Sequence, residues 1–341
     1  MKNTDAAVGP DKPGRFLWPL LLAVVMAAPA SAFAQASSPE PGVDKLLEAI
    51  VGVRTRVPED ARTAQALGTQ WVGSGVVIDA SGLIVTVGYL ILEASYVQVM
   101  VAENTLLDAE ILAYDHDTGF GLLRASEPLD VTPMVLGESS GLRKGDQLLV
   151  SGFGGRQAAR PAVLVSRRNF AGYWEYLLED AIYTAPPYPL FGGAALVNGQ
   201  GELVGIGSLM VADAYRGDQP LPGNVFLPVD QLKSVLGDLL TVGRSTTVSR
   251  PWLGIYVNEV DGLLIVHRLA VDGPAADAGM QAGDIVLGVA GQPVTSMEDF
   301  YRKLWATGGP GDAIALTVLK GAQIHEVKVT AGDRYKWLRL H

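Results

Sequence analysis

Gly73-Ser74-Gly75-Val76-Val77-Ile78-Asp79-Ala80-Ser81-Gly82-Leu83-Ile84-Val85-Thr86 reads as two short β-strands joined by a tight polar turn. β-Branched residues fill both runs, and Asp, Ser and Gly supply the turn between them. The same rhythm continues outward through residues 96–101, 147–150 and 205–207. Asn198-Gly199-Gln200-Gly201 separates Ala195-Leu196-Val197 from Glu202-Leu203-Val204 and predicts a hairpin, with Asn-Gly accepting the positive φ angles of the turn. So many short strands at this spacing predict a mainly β unit over residues 43–240, a sandwich or a pair of barrels. A helix over residues 229–240, with Leu232, Val235 and Leu239 on one face, closes it. Residues 241–250 read as a linker.

The remaining block, residues 251–335, predicts a smaller α+β domain. Ser296-Met297-Glu298-Asp299 is a capping-box start, and the helix it opens runs through Trp305 with Phe300 and Leu304 at i, i+4 spacing. Strands follow over residues 313–318 and 324–330.

Composition narrows the function classes. The chain has 341 residues, 48% hydrophobic and 18% charged, with 40 glycines and 20 prolines: too apolar for disorder, too rich in turn residues for a helical bundle. The net charge is −10 and no basic run occurs, so nucleic acid is not an expected partner. With no cysteine, disulfides, thiolate nucleophiles and Cys-built zinc sites are excluded. Four histidines without metal-ligand spacing leave little for a metal site, and no cofactor is expected.

Residues 16–34 form an apolar stretch after Lys12 and Arg15, ending in Ala30-Ser31-Ala32 or Ala32-Phe33-Ala34. That is the layout of a cleaved signal peptide over residues 1–34; an uncleaved membrane anchor is the rival reading. Residues 35–42 read as a flexible leader. The expected location is exported and periplasmic.

Taken in order, these motifs resemble the HtrA (Deg) family. The Gly73–Thr86 stretch, Ala109-Glu110-Ile111, the Asp115-x-Asp117-Thr118 turn with Leu122-Leu123, Gly192-Gly193 with Leu196-Val197, and residues 201–206 match its protease domain. Pro251-Trp252-Leu253-Gly254-Ile255, Gly273-Pro274-Ala275-Ala276, Ala282-Gly283-Asp284-Ile285-Val286 and Gly291-Gln292-Pro293-Val294 resemble its PDZ domain. The resemblance implies a trypsin-like double β-barrel followed by one PDZ domain.

The chemistry departs from that pattern. A serine protease needs a base, a carboxylate that orients it, a nucleophile and N–H donors for the oxyanion. By the family motif, the base falls at Tyr89, the orienting carboxylate at Gly119 and the nucleophile at Phe191. One oxyanion donor falls at Pro189, which has no N–H. No catalytic residue is therefore expected. The former cleft carries Tyr89, Leu190 and Phe191, read as filling it, with a binding groove as the other reading. Ser74 reads as a structural residue. Asp115-His116-Asp117 reads as a solvated acidic turn; a metal or small-ligand site there, or His116 as a displaced base, is the alternative.

The PDZ-like block keeps its working parts. Such domains take an extended peptide as an added strand and cradle its C-terminal carboxylate in backbone N–H groups. The resemblance implies Trp252, Leu253, Gly254 and Ile255 as the carboxylate loop. It implies Tyr256 on the edge strand, and Phe300 and Leu304 toward the peptide's last side chain. The expected function is a catalytically inactive peptide- or protein-binding scaffold or regulator; the alternative is an envelope serine endopeptidase using other residues. Expected partners are C-termini or extended segments of proteins and an active HtrA-type relative. The family also implies a homo-trimer built through the segment around residues 43–70 and Trp71.

Overall fold

The computed structural model describes residues 41–101, 105–246 and 249–340. The expected signal peptide and most of the leader lie outside the described residues. Pro41 and Gly42, the end of the expected leader, instead open helix α1 (Pro41–Leu47).

Twelve strands form two closed barrels. The first holds β1 (Ile50–Arg56), β2 (Gln70–Val77), β3 (Leu83–Val87), β4 (Tyr96–Met100), β5 (Leu106–Tyr114) and β6 (Phe120–Ala125), in the order β1-β2-β3-β6-β5-β4. A short helix α2 (Ala64–Leu67) lies between β1 and β2. The second barrel holds β7 (Gln147–Ser151), β8 (Arg160–Gly172), β9 (Tyr176–Ala185), β10 (Ala195–Val197), β11 (Leu203–Tyr215) and β12 (Leu221–Pro228). Read round from β7, its order is β7-β8-β9-β12-β11-β10, the first barrel's order repeated. Closure leaves neither sheet an open edge.

The decisive stretch folds as its residues dictate. Val76 pairs with Val85 and Val77 with Ile84, and Asp79 Oδ1 accepts from the N–H groups of Ser81 and Leu83 at 2.8 and 3.0 Å. The 195–204 hairpin forms, but its turn differs from the expected one. Gly201, not the Asn-Gly pair, takes the left-handed angle (φ +80°), while Asn198 Oδ1 accepts from the N–H groups of Gln200 and Glu202. The Asn side chain closes the loop itself, so positive φ is deferred by two residues.

Helix α3 (Val229–Val242) buries Val229, Leu232, Val235 and Leu239 against the barrels and ends at Gly243 (φ +80°), two residues later than expected. The third unit is a sheet of β13 (Ile255–Val260), β14 (Leu263–Leu269), β15 (Ile285–Val289), β16 (Gln292–Pro293), β17 (Ala313–Lys320) and β18 (Gln323–Thr330). It is covered by α4 (Pro274–Asp277) and α5 (Met297–Thr307). At the start of α5, Ser296 Oγ accepts from Asp299 N–H at 3.1 Å, while the Asp299 carboxylate reaches back to Thr295 N–H at 2.9 Å. After β18, helix α6 (Arg334–Trp337) turns toward the first barrel, where Leu338 packs with Leu92 and Tyr114. Among the described residues, no helix is long and apolar enough to cross a membrane.

Candidate functional site

The cleft between the barrels is built on the Gly192-Gly193 pair. Ser74 N–H donates to Gly192 O at 2.8 Å, and a Cβ on Gly193 (φ +73°) would lie 1.9 Å from Ser74 O. The two barrels thus touch backbone to backbone, which requires glycine whatever stands at the nucleophile position. Ser74 is buried, and its hydroxyl accepts from Phe153 N–H at 3.0 Å, a structural bond.

Tyr89 sits on a short 3₁₀ turn after β3, its ring tilted against Trp71 and its hydroxyl donating to Ser208 O at 2.8 Å. Burial pushes its pKa well above the ordinary 10, so at neutral pH it is a proton donor with its proton engaged. Gly119 follows the turn in a left-handed conformation (φ +81°), and a Cβ there would stand 2.6 Å from the Tyr176 hydroxyl. That hydroxyl donates to Thr118 O at 3.1 Å and takes up the space a carboxylate would need. Phe191 is half-buried and packs against the second barrel's core. Pro189 and Leu190 are exposed.

The Asp115-His116-Asp117 turn is not solvated, contrary to expectation. Asp115 is fully buried: Oδ2 accepts from Thr118 N–H (3.0 Å) and Oγ–H (2.6 Å), and Oδ1 from Ser245 N–H and Tyr335 O–H, both at 3.2 Å. Asp117 pairs with Arg250 at 3.2 Å. His116 Nε2 donates to Glu175 O at 3.0 Å and Nδ1 accepts from Tyr114 O–H at 3.3 Å, which assigns the neutral Nε2–H tautomer. Burial, reinforced by Arg334, holds its pKa well below 6.5. The three side chains serve different partners and do not converge on a common point. A cavity of about 330 Å³ opens below them, lined by His116, Asp117, Arg244, Arg250, Trp252 and Arg334 among others.

Trp252 packs on Trp337 with ring centroids 4.8 Å apart, and its backbone bridges to Gly332, so it anchors the loop that follows. Gly254 takes φ +76°, which turns the N–H groups of Leu253, Gly254 and Ile255 toward one point. At that point sits the carboxylate of Glu175, from the turn between β8 and β9. Its Oε2 accepts from Leu253 N–H at 3.0 Å and its Oε1 from Ile255 N–H at 2.8 Å. Burial outweighs these bonds and raises the Glu175 pKa to about 7. On β13, Val257 N–H donates to Tyr173 O at 3.0 Å, while Tyr256 lies outward under the Arg268 guanidinium. On α5, Phe300 and Leu304 are wholly interior, in a core shared with Leu177 of β9. Tyr301, which the sequence reading did not single out, donates to Gly172 O at 2.7 Å and accepts from Glu175 N–H at 3.1 Å. Glu175 and Leu177 were missed as well. The only local hint was an acid amid aromatics, Tyr173-Trp174-Glu175-Tyr176, on a strand turn.

Fold and site together define a protein with a trypsin-like peptidase domain followed by a PDZ domain. Family models for a trypsin-like peptidase domain and a PDZ domain match residues 73–206 and 251–331. A probable periplasmic serine endoprotease DegP-like of Pseudomonas fluorescens is 28% identical over 293 residues, covering 81% of this chain and 59% of the relative. The periplasmic pH-dependent serine endoprotease DegQ of Escherichia coli is 26% identical over 326 residues, covering 85% and 69%. Among solved structures, the HtrA-type protease AlgW with decapeptide superposes with a TM-score of 0.51 at 22% identity, over 86% of this chain and 97% of that one, which shows the shared fold. This order of domains is shared with its HtrA-type relatives. It spans about six tenths of the length of the first of these curated relatives.

Proposed function

We propose that this chain is a non-catalytic HtrA-family protein of the periplasm that works by binding peptide C-termini or extended segments through its PDZ domain, as a scaffold or regulator. The observation that carries the proposal is the refilling of the catalytic positions. The Tyr176 hydroxyl stands where an orienting carboxylate would go, Tyr89 holds its proton on Ser208 O, and Phe191 is half-buried against a barrel core. Pro189 removes an oxyanion donor, and losing several members of such a unit costs on the order of 10⁴–10⁶ in rate. In contrast, the loop Leu253-Gly254-Ile255 still aims its N–H groups at a carboxylate. The periplasmic names of the relatives support the location, and the decapeptide-bound AlgW structure supports a peptide as the ligand class. An active relative's oligomer is the partner we propose beyond peptides, met through the first-barrel face where Val72 is 72% exposed beside Trp71.

The relatives' names favour a second reading, a serine endopeptidase with a displaced nucleophile. Unfolded casein offered to the purified protein separates the two. The proposal expects casein to stay intact while an array of peptides gives binding that is lost on C-terminal amidation. Casein turnover with no peptide retained would overturn it.

A further inference from the structure

The turn between β8 and β9 offers the PDZ domain what a bound chain terminus would offer. A carboxylate, that of Glu175, lies in the Leu253–Ile255 loop. A main-chain carbonyl, that of Tyr173, accepts from Val257 on the edge strand. A leucine side chain, Leu177, is 4% exposed within the PDZ core. The contacts run in the direction of an added antiparallel strand: the Glu175 side chain meets Ile255 and the Tyr173 main chain meets Val257, two residues apart on each side in opposite directions. Glu175 itself takes φ +55°, a left-handed angle rare outside glycine, which turns the chain away so that the side-chain carboxylate enters the loop. From the other wall, Tyr301 of α5 clamps the turn through Gly172 O and Glu175 N–H.

We infer that residues 172–177 are a built-in ligand of the PDZ domain, and that the groove is given up only to a chain terminus with a free carboxylate and a large aliphatic last side chain, which displaces Glu175 and Leu177 together. The inference deepens the peptide-binding reading and rests on it. The groove's apparent affinity for any external terminus is then lowered by the ratio of closed to open molecules. Removing Glu175 removes that penalty and leaves every residue of the carboxylate loop in place.

The test uses the full chain as wild type, Glu175→Ala, Glu175→Gln and Tyr301→Phe. The probe is a fluorescein-labelled decapeptide ending in Tyr-Trp-Leu, as free acid and as C-terminal amide, read by fluorescence anisotropy. Hydrogen exchange at the amides of Leu253, Ile255 and Val257 is followed in parallel. The wild-type amides are expected to be protected and to exchange faster in Glu175→Ala. That variant is expected to bind the acid peptide at least about tenfold more tightly than wild type. Glu175→Gln, which keeps the turn packed, and Tyr301→Phe shift in the same direction by less, and the amide peptide binds none. Equal affinity and equal protection in wild type and Glu175→Ala would overturn the inference. Faster exchange in Glu175→Ala with no peptide bound by any variant would leave the built-in contact standing and refute the peptide-binding reading beneath it.

Discussion

Gly119→Ala is a one-methyl change at the position where the family motif calls for a carboxylate, and the structure sets its cost. Residue 119 takes φ +81°, so alanine there carries about 1–2 kcal/mol of left-handed strain. Its Cβ would lie 2.6 Å from the Tyr176 hydroxyl and 3.3 Å from Leu227. Relieving such crowding inside a packed core costs a further ~1–3 kcal/mol. The expected loss is thus about 2–5 kcal/mol. Tyr176→Phe alone gives up one hydrogen bond to Thr118 O, about 1 kcal/mol. In the double variant the clash is gone, so the two changes cost less together than the sum of the singles, by about 1–2 kcal/mol. Equilibrium urea unfolding of the four proteins, followed by circular dichroism, measures each term. A Gly119→Ala cost under about 0.5 kcal/mol, or strict additivity, would refute the argument that Tyr176 has taken the carboxylate's place. The same geometry means that restoring aspartate at residue 119 also requires shortening Tyr176.

Three further outcomes are expected. Glu175 docked titrates near 7 against an ordinary 4.5, because burial disfavours its charge. The docked state therefore holds its proton more tightly than the released state. Docking is strongest below about pH 4.5, weakens as pH rises to about 7 and is flat above. Of the groups facing it, Tyr301 and His116 are both held neutral by burial, so peptide affinity should climb across that window by roughly one to two orders of magnitude and be flat in Glu175→Gln. Phe300→Ala should cost about 3–5 kcal/mol in urea unfolding, against under ~0.5 for Leu190→Ala, since one is fully interior and the other 57% exposed. Tyr89→Phe should cost about 1 kcal/mol by the same measurement, the worth of its bond to Ser208 O.

The fold was legible because its signals are local. The β-branched runs, the Asp79–Gly82 turn and the Ser296 cap each lie within a few residues, and each formed. The residues at the motif positions were legible too, since a motif position shows its residue type directly. What surrounds those residues was not legible. Tyr176 reaches Gly119 across 57 residues of sequence, and Glu175 reaches Leu253 across 78. A glutamate on a strand turn ordinarily faces solvent, and only the close approach of the β8–β9 turn to the PDZ loop reverses that. The same holds for Asp115, whose burial depends on Ser245 and Tyr335, more than a hundred residues away.

On the proposed function, the catalytic positions no longer hold a nucleophile. The direct measurement is exposure of the purified protein to a fluorophosphonate probe of serine hydrolases, with intact-mass detection of the adduct. No adduct is expected. A stoichiometric adduct on any serine of the native protein would contradict it, and the labelled peptide would name the nucleophile.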